Sequence, residues 1–157
     1  MARRRVDYPG ADSDGETLTI NHLAAEPPRT LPLIDDENRI FWTGGADGQL
    51  RVRRCGQCHN YIHPPKPRCP KCLSAQVTDV VVSGRGTIES FTVNHHSWLP
   101  GLHVPYVIAL VSLNEQRDIR LASNIVCCEP EAVSIGAAVY VVFEQQEEVF
   151  LPMFRLE

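Results

Sequence analysis

Two cysteine pairs, Cys55-Gly-Gln-Cys58 and Cys69-Pro-Lys-Cys72, constrain this chain more than any other feature. A Cys-x-x-Cys turn aims two thiolates at one point, and two such turns facing each other close a tetrahedron of sulfurs. Gly56 is expected to permit the tight backbone of the first turn and Pro70 to stiffen the second. Zinc suits four thiolates because it imposes no d-electron geometry and does no redox chemistry; iron fits the same ligand set. A four-thiolate site has no open position for water or substrate, so the expected role of a single Zn²⁺ here is structural rather than catalytic. His59 and His63 lie between the pairs and read as neighbours of the site rather than as ligands.

The alternative use of four cysteines is two disulfides. Behind Arg3, Arg4 and Arg5 there is no apolar stretch of the kind a secretory signal needs, so the expected location is the cytoplasm. In that compartment clustered cysteines serve metals rather than disulfides. No apolar run approaches the ~20 residues that span a bilayer, and no membrane association is expected. The adjacent Cys127 and Cys128 cannot form a knuckle, and they read as free thiols. A nucleophilic role for them would need a neighbouring base, which the sequence does not supply.

Charge divides the 157 residues into three segments. Residues 1–48 carry a net charge of −4, residues 49–75 carry +6 with no acidic side chain, and residues 76–157 carry −6. The expected domains follow: a tail over 1–30, a helical segment over 31–48, a zinc ribbon over 49–75 and a barrel over 76–157. Residues 1–30 mix Arg, Asp, Gly, Pro and Thr without a period and read as a loosely docked tail. Leu33 and Ile34 recur one heptad on as Ile40 and Phe41, which predicts a helix over Leu33–Trp42 ended by Gly44 and Gly45. That helix packs on a core, or offers Phe41 and Trp42 as a docking surface.

Beyond Cys72 the sequence reads as strands at Val77–Val82, Thr87–Val93, Tyr106–Leu113, Arg120–Ile125, Ala138–Glu144 and Val149–Phe154. The unbroken apolar run Tyr106–Val111 predicts a central strand covered on both faces. Short strands in so few residues suit closure, which removes exposed edges. The fold class is therefore mainly β, with an N-terminal helix, a zinc ribbon and a C-terminal oligonucleotide/oligosaccharide-binding (OB) barrel. The helix usually inserted between barrel strands is reduced to the poor stretch Glu129–Ser134.

The ordered set of motifs resembles a known family. It runs from Phe41-Trp42 through Gly48-Gln-Leu50, the two cysteine pairs with Pro64-Pro65 between them, and Gly84-x-Gly86-Thr87-Ile88-x-Ser90-Phe91-Thr92. It continues with Pro105-Tyr106-Val107-Ile108-Ala109-Leu110-Val111 and closes on Ile135-Gly136 before Val139. Over residues 31–157 the chain resembles the acyl-CoA-associated family once called domain of unknown function 35, in which a rubredoxin-like zinc ribbon is joined to an OB-fold. The resemblance implies a small subunit without catalytic residues of its own. Its partner would be a thiolase-fold protein, foremost a lipid-transfer-protein-like aldolase that cleaves a β-hydroxyacyl-CoA of steroid side-chain type. Condensing thiolase or acyltransferase partners come next. It further implies acyl-CoA shared with the partner, and a heterotetramer with two copies of each chain.

Within that expectation the loop Asn94–His103 is the most function-like stretch. Trp98 and Leu99 are candidate interface anchors, and Trp98 as a cap on the barrel end is the alternative. His95 and His96 are adjacent and point to opposite faces of an extended segment, so they do not share a metal. Arg54 and Lys66 belong to the basic ribbon, a candidate contact for the phosphates of CoA. Nucleic acid is the competing ligand for a ribbon joined to an OB barrel, but the acidic barrel argues against a phosphate-tracking groove. A free-standing enzyme ranks last, because no nucleophile elbow, phosphate-cradling glycine loop or paired-carboxylate motif is present.

Overall fold

A computed structural model describes residues 30–157. The tail expected over 1–30 therefore lies outside the described residues, apart from Thr30.

The helical segment is shorter than its periodicity suggests. Helix α1 spans Arg39–Thr43; ahead of it Leu33 is 88% exposed and Ile34 only half-buried, so the first half of the expected apolar stripe contributes little burial. Asp35 sets the entry. Its side chain accepts the backbone N–H groups of Glu37 and Asn38, while the Asn38 side chain accepts the N–H of Asp35. This reciprocal pattern satisfies donors that the first turn leaves orphaned. The chain does not stop at Gly44-Gly45 either. It tightens into a 3-10 turn over Gly44–Asp47, and Gly48 closes that turn by bonding back to the Gly45 carbonyl.

Eight strands follow: β1 (Leu50–Cys55), β2 (Tyr61–Ile62), β3 (Val77–Val82), β4 (Arg85–Asn94), β5 (Tyr106–Leu113), β6 (Arg120–Ile125), β7 (Ala138–Gln146) and β8 (Val149–Leu156). The first three form a sheet in the order β2-β1-β3, and the other five close a barrel in the order β4-β5-β6-β8-β7. Strand β3, expected in the barrel, belongs instead to the ribbon sheet. It pairs antiparallel with all of β1, from Leu50 opposite Val82 to Cys55 opposite Val77. Its Val-rich composition marks it as a strand but carries no information about which sheet recruits it. Antiparallel pairing of Arg85–Thr87 with Ala138–Tyr140 closes the barrel, and Ile125 opposite Phe154 is a parallel bridge. Glu89 is an extra residue on β4, a bulge of the kind that bends a strand round a barrel corner. Between β6 and β7 only a short 3-10 turn, Pro130–Ala132, stands where an OB-fold helix would lie.

Strand β5 is not covered on both faces. Val107, Ala109 and Val111 point inward and are buried, while Ile108 points outward and is 40% exposed. One core joins the two sheets: Leu50, Val52 and Val82 of the ribbon sheet cluster with Phe41 and with Ile88, Val111, Phe143 and Phe154 of the barrel. A second, smaller cluster of Cys55, Ile62 and Cys69 lies at the far end of the ribbon. The hairpin tip after β5 clamps the two parts together. Gln116 accepts the Tyr61 N–H at 2.9 Å and donates to Asn60, and Glu115 accepts the Ser83 N–H at 2.6 Å.

The turn from ribbon sheet to barrel depends on Gly84. It has φ +70°, and a Cβ there would lie 2.4 Å from a Val141 methyl. Gly136 has φ +88°, but a Cβ there would meet nothing. Gly136→Ala is expected to cost only left-handed backbone strain, about 1 kcal/mol, and Gly84→Ala about 2–4 kcal/mol because overpacking adds to the strain. Urea unfolding of the two variants measures the difference.

Candidate functional site

Cys55 is the last residue of β1, so the ribbon sheet delivers the first thiol directly. The two knuckles repeat one hydrogen-bond pattern. In the first, the Cys55 N–H donates to the Asn60 carbonyl and the His59 N–H returns to the Cys55 carbonyl. In the second, the Cys69 N–H donates to Ser74 and the Leu73 N–H returns to Cys69. His59 and Leu73, each just after the second cysteine, both take left-handed backbone, with φ 60° and 62°. The conformationally demanding positions are therefore these two rather than Gly56, where an added Cβ would meet only ordinary contacts with Gln76.

The four sulfurs converge. Cys55 Sγ lies 3.5 Å from Cys72 Sγ, and Cys58 Sγ lies 3.5 Å from Cys69 Sγ. All four lie within 4.8 Å of one another, far beyond disulfide bonding. A zinc–sulfur bond of ~2.3 Å requires tetrahedral edges of about 3.8 Å, which this spread brackets. Backbone donors point at the sulfurs, with the Cys58 N–H on Cys55 and the Lys71 N–H on Cys69. The Cys58 N–H is the largest influence holding the Cys55 thiol down at about 6, against its burial. Cys72 is pushed up to about 12: the Ser74 N–H acts to lower it, but burial and the three neighbouring sulfurs prevail. Four mutually repelling thiolates need a cation among them. The set thus fits the structural zinc of a ribbon, held by Cys55, Cys58, Cys69 and Cys72.

Most of the surrounding cations are committed to the fold. Arg51 binds Asp47 and Gln49, Arg53 binds Asp79 and the Lys66 carbonyl, and Arg68 donates to the Leu73 carbonyl. Arg54 donates to the His59 carbonyl and lies 5.2 Å over the Tyr61 ring. Lys66 is exposed.

The Asn94–Pro105 loop is built from its own bonds. Trp98 Nε1 donates to Asn94 Oδ1, the His96 ring meets the Trp98 ring edge-on at 4.5 Å, and Ser97 Oγ bonds the carbonyls of Leu99 and Leu102. Trp98 does not cap the barrel: it is 68% exposed and Leu99 is 54% exposed. His95 and His96 are exposed as well. Phe41 is unavailable as a docking residue, because it is buried in the core between Trp42 and His63. Trp42 is half-buried beside it. No helix among the described residues is long and apolar enough to cross a membrane.

A cleft of about 980 Å³ opens where α1, the His63–Pro65 turn, the Leu99–Tyr106 segment, β6 and β8 meet. Sequence reasoning missed it because its walls come from segments remote along the chain. Pro64-Pro65 was the one local signal of a rigid turn there. Trp42, Leu99 and the half-buried free thiols Cys127 and Cys128 line it, and burial raises both thiol pKa values.

Comparison with known proteins gives these features a context. The family model described as the ChsH2 rubredoxin-like zinc ribbon domain matches residues 42–78, and the ChsH2 C-terminal OB-fold domain matches residues 79–144. A probable enoyl-CoA hydratase alpha subunit of Thermomonospora curvata is 36% identical over 128 residues, which is 81% of this chain but 40% of that protein. This chain thus spans well under half of that relative. A DUF35 domain-containing scaffold protein of Methanothermobacter thermautotrophicus is 34% identical over 63% of this chain and 74% of its own length. Among solved structures, a chain of the Ltp2-ChsH2(DUF35) aldolase superposes with a TM-score of 0.72 at 35% identity, covering 80% of this chain and 98% of that one.

Two outcomes are expected. Cys55→Ser should lose its zinc and the folded ribbon, read by metal analysis and circular dichroism. His63 is held down at about 4 by burial, below its ordinary value of 6.5. The fold therefore favours its neutral form, so its contribution is complete above pH 6.5 and is lost as pH falls toward 4. Between pH 7 and pH 5, wild type should lose about 1–2 kcal/mol more stability than His63→Phe in parallel urea titrations.

Proposed function

We propose, from the premise that this chain belongs to the DUF35 family of paired zinc-ribbon and OB-fold proteins, that it is a non-catalytic subunit bound to a thiolase-fold aldolase acting on acyl-CoA. The observation that carries this is the likeness to the DUF35 chain of the Ltp2-ChsH2 aldolase, which this chain matches over 98% of its length at 35% identity. The reaction is retro-aldol cleavage of a β-hydroxyacyl-CoA of steroid side-chain type, with the chemistry on the partner. One zinc per chain holds the ribbon, the acyl-CoA is shared with the partner, and the complex is a cytoplasmic heterotetramer. The domain division into 31–48, 49–75 and 76–157 belongs to the same proposal, with its ribbon boundary moved out to Val82 to include β3.

The docking surface in this reading is the exposed pair Trp98 and Leu99, with His95 and His96 at its edge and Trp42 across the cleft. Aromatic side chains dominate interface energetics, and a loop ordered by its own hydrogen bonds loses little entropy on docking. Arg54 and Lys66 are the weaker part of the reading. Arg54 already bonds its own knuckle, so of the two the exposed Lys66 is the one left free in this reading to meet a CoA phosphate. The internal commitments of Arg51, Arg53 and Arg68 also weigh against a surface that tracks nucleic-acid phosphates. A second reading has its own support: the Thermomonospora curvata relative is named as a hydratase alpha subunit. In that reading this chain serves a CoA-thioester hydratase complex.

The test is coexpression with the thiolase-fold protein encoded in the same organism. Wild type should elute with it as one complex in gel filtration, and Trp98→Ala should weaken association at least tenfold while keeping its zinc. An intact complex with Trp98→Ala would contradict the assigned surface, and no complex with wild type would contradict the subunit reading.

A further inference from the structure

One motif of the sequence has no use in the zinc site or the docking surface: the adjacent thiols Cys127 and Cys128, which follow β6. Both are free and half-buried. In extended backbone two neighbours point to opposite faces, and such a pair could not act on one atom. Cys127 instead takes left-handed backbone, with φ 61°, which breaks the alternation. Both cysteines line the same side of the molecule, between β6 and the Pro130–Ala132 turn. The backbone on either side is held. The Val126 N–H donates to the Phe154 carbonyl at 2.8 Å, and Cys128 packs against the main core.

The surroundings narrow what two such sulfurs can bind. A tetrahedral zinc or iron site needs two further ligands. Among the described residues only Cys55, Cys58, Cys69 and Cys72 bring three or more ligand atoms of His, Cys, Asp or Glu together, so the pair at 127–128 has no such helpers. A covalent nucleophile needs a thiolate. Burial pushes both thiols up, against the opposing charge of Arg155, so near pH 7 both stay protonated. A trivalent thiophilic centre needs neither further protein ligands nor thiolates. It takes two sulfurs from the protein and carries its third bond on its own substituent. The product is neutral, so a half-buried position does not penalise it as it would a charge.

We infer that Cys127 and Cys128 form a chelating dithiol site for a small, neutral, trivalent thiophile of the organoarsenical class. The site goes beyond the subunit reading and does not rest on it, since both sulfurs belong to this chain. With an arsenic(III) oxide the step is a condensation. The arsenic–oxygen bond breaks, two sulfur–arsenic bonds form, and the two thiol protons leave with the oxide oxygen as water. Arsenic stays trivalent and the sulfurs stay reduced, so no oxidant or reductant is needed. Once the first sulfur has bonded, the second is held beside it by the chain, and closing the ring is an intramolecular step.

The probe is phenylarsine oxide, added in equimolar amount to the zinc-loaded full chain and read by native mass spectrometry. The expected product carries one phenylarsenic group and keeps its zinc. The group should survive excess 2-mercaptoethanol and be removed by the dithiol 2,3-dimercaptopropanol, because only a second chelate competes with a chelate. Cys127→Ser and Cys128→Ser each leave one sulfur and should weaken binding about a hundredfold. Zinc content and the urea midpoint show that each variant is folded, and the exposed side of the turn makes Cys127→Ser the decisive one if Cys128→Ser disturbs the core. Wild-type affinity in folded Cys127→Ser would overturn the inference. So would uptake only with loss of zinc, which would make the ribbon sulfurs the target, and so would no uptake by the folded wild type.

Discussion

The convergence of four sulfurs on one point is the constraint from which the rest of this structure follows. It fixes two knuckles whose ends are β1 and the lead into β3, and the pairing of those strands carries Leu50, Val52 and Val82 into the core of the barrel. A ribbon of this size buries too little apolar surface to hold its own sheet, as its small cluster of Cys55, Ile62 and Cys69 shows. Metal ligation supplies the missing free energy at one end, and the shared core supplies it at the other. The Gln116 and Glu115 contacts lock the junction between them. The walls of the cleft are contributed by the ribbon's proline turn and by barrel strands that pack on the same core as the ribbon sheet.

Much of this was legible in the residues. Cysteine spacing specifies a local geometry, so the metal centre could be read without long-range information. Barrel strands β4 to β8 were visible because β-branched runs alternate with turn signals, and most bounds agree within two residues. The failures share one cause, pairing and packing between distant segments. The Val77–Val82 strand was seen but assigned to the wrong sheet, because the partner of a strand is not written in its own composition. The helical stripe over 33–42 was half illusory, since Leu33 has no surface to pack on. The apolar run in β5 suggested burial on both faces, yet its outward Ile108 faces the cleft. Gly56 drew attention as the flexible position, while the strained ones, His59 and Leu73, are occupied by side chains that give no hint of left-handed backbone.

The site residues divide the same way. The four ligands were readable because they act within one local motif. Phe41 was left between two readings, since an aromatic residue on a short helix serves a core or a partner equally well by sequence, and its burial decides for the core. Trp98 is the opposite case: its exposure, with its indole N–H held by Asn94, shows an aromatic group presented outward by a built loop. His63 was read as a neighbour of the metal site; the fold sets it instead beside Phe41, with its Nδ1 buried.

In this account the protein is scaffold and surface. In the proposed reading its four-sulfur site is closed to chemistry, Arg51, Arg53, Arg54 and Arg68 bond within the fold, and Trp98 is presented outward for a partner. The most direct test of that central claim is affinity purification of the tagged chain from its native lysate, with mass spectrometry and native mass of what co-elutes. The account expects a near-stoichiometric thiolase-fold protein in a complex with two copies of each chain. Recovery of the chain alone, or with nucleic acid in place of a protein partner, would contradict it.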